Sequence, residues 1–152
     1  MNRRDFAMLM AAALPGGVLL RPRAARAAEA IPVTLYKNPS CTCCEGYAQY
    51  LAQNGFTVDV RPTNDLAEIS RKAGIPSDRE GCHSSFIGDY VVDGHVPVET
   101  IRKLLDTKPA LAGITLPGMP AGSPGMVGEK TETFTIYAIS RDGTPPRVFD
   151  VV

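Results

Sequence analysis

Five residues of this chain stand out for the chemistry they could do. Three of the four cysteines lie in Cys41-Thr42-Cys43-Cys44, and the fourth, Cys82, is followed directly by His83. Cys41 and Cys44 form a CxxC, which at the start of a helix is a redox-dithiol arrangement, because free backbone amides and the helix dipole there stabilise a thiolate. The spacing also brings both sulfurs to one side of the first turn. A dithiol needs only two sulfurs, so Cys43 and Cys82 call for a second explanation. Four thiolates and an imidazole make a donor set suited to Cu(I) and, less selectively, to Zn(II), with the thioethers of Met119 and Met126 as further soft donors. The side chains of the adjacent Cys43 and Cys44 are expected to diverge, so bridging thiolates holding several Cu(I) ions fit better than one tetrahedral ion. Four thiolates neutralise four Cu(I) charges, which removes the cost of burying net charge.

The plainer alternative is a pair of structural disulfides. A bond between neighbouring Cys43 and Cys44 would be strained, and only one of them can pair with Cys41, so the metal reading is preferred. His95 follows the turn signal Asp93-Gly94 and is an outside candidate for a ligand, since a histidine in a turn is more often solvated or capping. Met119 and Met126 read equally as loop hydrophobes over the core. Tyr36 and Tyr47 read as core. The carboxylates show no paired acid-base spacing, and neither a Ser-His-Asp set nor a phosphate loop is visible.

These residues must be placed by the elements around them. Residues 31–36 are apolar and β-branched and read as a buried strand, followed by a turn at Lys37-Asn38-Pro39-Ser40. From Cys41 to Asn54, Tyr47, Ala48, Leu51 and Ala52 recur at helical spacing, with Asn54-Gly55 as the stop. A strand at 56–60 follows, then a helix at 66–73 capped by Asn64 or Asp65. After a loop at 77–82 come strands at 83–87 and 90–92 joined at Gly88-Asp89, and a helix at 98–107 introduced by Pro97. Residues 109–128 read as a long loop punctuated by Pro, Gly and Met, and a final hairpin joins 134–139 to 147–151. The order β-α-β-α-β-β-α, with CxxC between the first strand and first helix, predicts an α/β, thioredoxin-like mixed sheet flanked by helices. In that fold the start of the third strand faces the CxxC, which would set Cys82 and His83 beside the other three sulfurs.

The 152 residues carry 16 Lys and Arg against 16 Asp and Glu, a neutral average over two unlike parts. Residues 1–27 hold five of the basic residues and one acid around an apolar stretch too short and weakly hydrophobic to span a bilayer, the layout of an export signal. Within it, Arg3-Arg4-Asp5-Phe6 resembles a twin-arginine signal, and Ala25-Arg26-Ala27 supplies a small-x-small cleavage pattern. Residues 28–152 then form one metal-binding domain with 11 basic and 15 acidic side chains, a net charge of −4. The expected location is the periplasm, with no stable membrane anchor. A neutral to acidic chain is a poor nucleic-acid binder.

The segments 33–44, Cys82-His83-Ser84, 93–97 and 116–126 together resemble the exported metal-binding family that includes the copper-resistance protein CopG. The resemblance covers nearly the whole of 28–152, with Thr115-Leu116 ahead of Pro117 a mild departure. It implies a thioredoxin-like fold, a periplasmic role in copper handling or resistance, and a cysteine-bridged multicopper cluster. Carried over, Cys41, Cys43, Cys44 and Cys82 look like the cluster thiolates and His83 like a nearby nitrogen ligand. The expected function is to hold copper, with Cu(I)/Cu(II) cycling a further possibility and another periplasmic copper-handling protein the expected partner. The alternative from another class is a thiol-disulfide oxidoreductase in which Cys41 attacks and Cys44 resolves. Arsenate reductases share the Tyr-x-Asn-Pro-x-Cys character of residues 36–41, but no arginine cluster for an anion lies near Cys41.

Overall fold

Alternation along the first strand, β1 (Ile31–Lys37), turns Val33, Leu35 and Lys37 into the interior. In the computed structural model, which describes residues 29–152, β1 is followed by α1 (Thr42–Gln53), β2 (Phe56–Pro62) and α2 (Leu66–Lys72). A short 3-10 turn at Ser77–Arg79 leads to β3 (His83–Ile87), β4 (Tyr90–Asp93) and α3 (Val98–Thr107). The chain ends with β5 (Gly113–Thr115), β6 (Thr135–Ile139) and β7 (Arg147–Val151). The export segment expected at 1–27 lies outside the described residues.

The seven strands form one sheet in the order β2-β1-β3-β4-β5-β6-β7. β1 runs parallel to β2 and antiparallel to β3, and β3 and β4 form a hairpin, as expected of a thioredoxin-like α/β fold. α1 sets Cys44, Tyr47, Ala48 and Leu51 on its buried face, an i, i+3, i+4, i+7 stripe. α3 buries Val98, Ile101 and Leu104. With Leu35, Val92, Ile114 and Ile136 of the sheet these side chains form the main core. Two tyrosines tie α1 to the start of α3: the Tyr47 hydroxyl donates to the Val96 carbonyl at 2.8 Å, and the Tyr50 hydroxyl accepts from the Val98 amide at 2.9 Å.

One strand departs from the sequence reading. β5 lies inside the segment expected to be loop, paired parallel to β4 (Val91↔Gly113) and antiparallel to β6 (Gly113↔Ile139). Three residues are too few to show alternation, and all three are buried, so the strand is defined by its two neighbours and not by its own pattern. Gly113 is required there, because a Cβ would collide with the Val91 carbonyl. The loop proper runs from Leu116 to Phe134, between β5 and β6. It folds back onto α1, where Gly125 packs against Gly46 and Tyr47. Among the described residues no helix is long and apolar enough to cross a membrane.

Candidate metal centre

The turn between β1 and α1 presents the first cysteines, and a buried cation holds it in place. Lys37 is only 1% exposed, and its Nζ donates to the carbonyls of Asn38, Pro39 and Cys41 at 3.2, 3.3 and 3.2 Å and pairs with Glu45 at 3.1 Å. Such a charge is tolerated in the interior only because its protons are so satisfied. Cys41 is the N-cap of α1 in extended conformation and offers no side-chain cap, so the sulfur is free for other chemistry at a helix start. One turn on, the fully buried Cys44 is joined to it by a disulfide. Cys43 and Cys82 are free thiols.

All four sulfurs lie within 4.8 Å of one another. The Cys43 sulfur is 3.5 Å from that of Cys41 and 3.8 Å from that of Cys82, and the Cys44 sulfur is 3.6 Å from that of Cys82. Burial and the neighbouring Cys43 thiol push the Cys82 thiol up to about 12, so it keeps its proton until a cation displaces it. The expected divergence of Cys43 and Cys44 is not what the fold delivers. The Cys44 sulfur lies 3.4 Å from the Cys82 carbonyl, and the Cys82 sulfur, just ahead of β3, meets those of both Cys43 and Cys44.

Two imidazoles flank Cys82. His95 Nε2 lies 3.1 Å and His83 Nδ1 3.4 Å from its sulfur, and both rings are fully buried. His95 Nδ1 is 2.7 Å from the Pro124 carbonyl. A carbonyl only accepts, so Nδ1 carries the proton and Nε2 turns its lone pair to the sulfur, the orientation metal-bound histidines receive from an outer carbonyl. His83 Nε2 is buried without a hydrogen-bond partner. Burial and the adjacent His95 hold His83 down to about 3, and burial lowers His95 as well, so both rings are neutral. Tyr47 packs against both, with ring centroids 4.5 Å from His83 and 5.3 Å from His95.

Behind the rings, the buried Asp93 fixes the Cys82 segment. Its carboxylate accepts from the Gly81 amide, from Ser84 Oγ at 2.7 Å and from Thr115 Oγ1 at 3.2 Å, and Ser70 bonds Ser84 in turn at 2.9 Å. Burial pushes Asp93 up to about 6 in spite of these donors.

The five principal site residues expected from the sequence therefore converge. His95, the outside candidate, is as close to Cys82 as any of them. Met119 is 43% exposed and Met126 half-buried, and the loop carrying them reaches the centre through the Pro124 carbonyl. The sequence pattern puts Lys37 and Asp93 in turns. For Lys37 a signal was present, since it continues the inward phase of Val33 and Leu35; for Asp93, in a DG turn signal, there was none.

A family profile described as "Protein of unknown function, DUF411" matches residues 79–126, which hold Cys82, His83, Asp93, His95 and the first part of the loop. No curated protein matches the chain. Among solved structures, the copper resistance protein CopG in its Form 2 superposes with a TM-score of 0.75 at 30% identity, covering 82% of this chain and 99% of that one. Form 1 of the same protein gives 0.74 at 30% identity, with 82% and 98% covered. With that identity over almost the full length of the relative, and with the CxCC and Cys-His residues assembled in one centre, this chain belongs to the family of the copper resistance protein CopG.

Proposed function

We propose that this protein binds copper in the service of copper resistance or handling, holding Cu(I) through Cys41, Cys43, Cys44 and Cys82 with His83 as a nitrogen donor. The observation that carries this reading is the meeting of all four sulfurs within 4.8 Å at the junction of β1, α1 and β3. Soft thiolates in that density suit Cu(I), and sulfurs 3.5 to 3.8 Å apart can share ions between them, which is compatible with the cysteine-bridged multinuclear cluster that the family resemblance implies. His83 Nδ1, 3.4 Å from the Cys82 sulfur, and the carbonyl-oriented His95 are what a cation site supplies in advance. The neutral imidazoles also accommodate Cu(II), which supports Cu(I)/Cu(II) cycling at the same centre. The basic segment at 1–27 supports export to the periplasm, where another copper-handling protein is the expected partner.

The test is elemental analysis with a thiol count. The reduced protein, prepared anaerobically and offered Cu(I), is expected to bind more than one equivalent, and Cys82→Ser to lower that number. Binding of less than one equivalent, or an unchanged value in Cys82→Ser, overturns the reading.

The Cys41–Cys44 disulfide favours a second reading, a thiol-disulfide oxidoreductase with Cys41 as the attacking thiol. A simple dithiol enzyme keeps its disulfide reductase activity in Cys82→Ser, whereas a copper centre loses metal.

A further inference from the structure

The disulfide divides the centre unequally. Closing Cys41–Cys44 removes two of the four thiolates and leaves Cys43 and Cys82. It leaves a second group untouched, because Cys82, His83 and His95 also place one ligand atom each within 4.8 Å of the others, and none of the three takes part in the bond. Cys82 is the one residue common to both groups.

The geometry of this second group is that of a site for one ion. Bonds of about 2.3 Å to sulfur and about 2.0 Å to nitrogen at tetrahedral angles separate sulfur from nitrogen by roughly 3.5 Å. The observed separations from the Cys82 sulfur are 3.4 Å to His83 Nδ1 and 3.1 Å to His95 Nε2. His95 is held in the ligating tautomer by Pro124, and His83 is wholly buried with its other nitrogen unpartnered. Tyr47 packs against both, tilted to His83 and edge-on to His95. A cleft of about 220 Å3 lined by Asn38, Asn64, Ser70, Glu80 and Cys82 opens onto the Cys82 side.

We propose that the closed disulfide does not empty the centre but converts it, so that Cys82, His83 and His95 hold a single borderline divalent ion with one coordination position open. One thiolate and two imidazoles suit Zn(II) and its neighbours in hardness, whereas the four thiolates of the reduced form suit Cu(I). The state of the CxxC thereby selects both the number and the class of ion held. The conversion is a two-electron thiol-disulfide exchange with an external disulfide. The Cys41 thiolate attacks one sulfur of that disulfide and expels the first thiol. Cys44 then attacks Cys41 in the mixed disulfide and expels the second, so the S–S bond formed here balances the one broken there, and the two thiol protons end on the released thiols.

This inference rests on the metal-binding reading, and its test has a separate arm. The chain is oxidised with a small-molecule disulfide until peptide mapping shows Cys41–Cys44 closed and two thiols free, then titrated with Zn(II), which cannot exchange electrons with the sulfurs. One equivalent is expected, with both histidine rings shifted in their 15N ring spectra. Affinity falls at least about tenfold in Cys82→Ser and His95→Gln and stays within about twofold in Val127→Ala, whose side chain is 87% exposed. Absence of the one-equivalent complex, unshifted rings in the unmutated chain, or equal losses in Val127→Ala and Cys82→Ser would overturn it. Cu(I) loading of the reduced chain is scored independently, so failure of the copper reading and failure of the converted site give different patterns.

Discussion

Lys37 carries a buried charge at the point where the strand gives way to the cysteines, and its three carbonyl partners belong to the turn that sets the position of Cys41. Lys37→Met keeps the stem and removes the donor, leaving those carbonyls to find water at the protein's edge. Unfolding in urea is expected to show a loss of about 2–4 kcal/mol, the range for breaking a buried, hydrogen-bonded charge, and the Cu(I) complex to weaken with it. Tyr47→Phe is a milder change. It removes one bond of 2.8 Å to the Val96 carbonyl in a dry environment and is expected to cost about 1–2 kcal/mol in the same measurement. The residues legible in the sequence were those whose type alone signals chemistry: three cysteines in four positions and a Cys-His pair have few other uses. Lys37, Asp93 and His95 are types that usually face water, and only the chain folded over them makes them interior. No local pattern encodes that burial at 93 and 95, because it is produced by β5 and by the loop that brings Pro124.

At the scale of elements, that loop is part of the site. Gly125 has φ +80°, and a Cβ on it would run into the backbone of Tyr47 in α1. Gly125→Ala must either strain the turn or lift the loop, taking the neighbouring Pro124 carbonyl away from His95. A cost of about 1–3 kcal/mol is expected in unfolding, together with a change in the His95 ring tautomer seen by 15N spectroscopy; an unchanged tautomer would show that Pro124 does not orient the ring. The β6–β7 hairpin offers a pH-dependent counterpart. Two bonds from Thr144 to Asp142 Oδ1 hold that exposed carboxyl down to about 2 from its ordinary 3.8. A carboxylate whose folded value is depressed supports the fold above its ordinary value and loses that support as the pH falls toward the folded one, here from about 4 to about 2. Asp142→Asn is expected to flatten the pH dependence of the urea midpoint in that window and leave neutral pH nearly unchanged. Most of these elements were readable from periodicity and turn residues. β5 was not, since a three-residue strand owes its existence to partners distant in sequence.

Taken whole, the molecule is a thioredoxin-like half, β2-β1-β3-β4 with its helices, extended along the same sheet by β5, β6 and β7. The half supplies every thiol, and the extension supplies Thr115 to Asp93 and, through the loop between β5 and β6, the Pro124 carbonyl to His95. Metal chemistry at the centre thus depends on both parts being folded together. Charge is divided too, because residues 1–27, with five arginines and one aspartate, carry a net +4 that cancels a net −4 in the remainder. We propose that this basic segment, with its arginine pair before a modest apolar run, is read by export machinery and then removed. Arg3→Lys with Arg4→Lys preserves charge and hydropathy while destroying the arginine pair, which makes it a test of recognition and not of electrostatics. Cell fractionation is expected to find the unmutated chain in the periplasm beginning at Ala28 and the double variant inside the cell at full length. Equal export of the two would reassign the segment to the general secretory route, and an unprocessed chain retained inside the cell would place the copper centre in a reducing compartment, where the Cys41–Cys44 disulfide would seldom close.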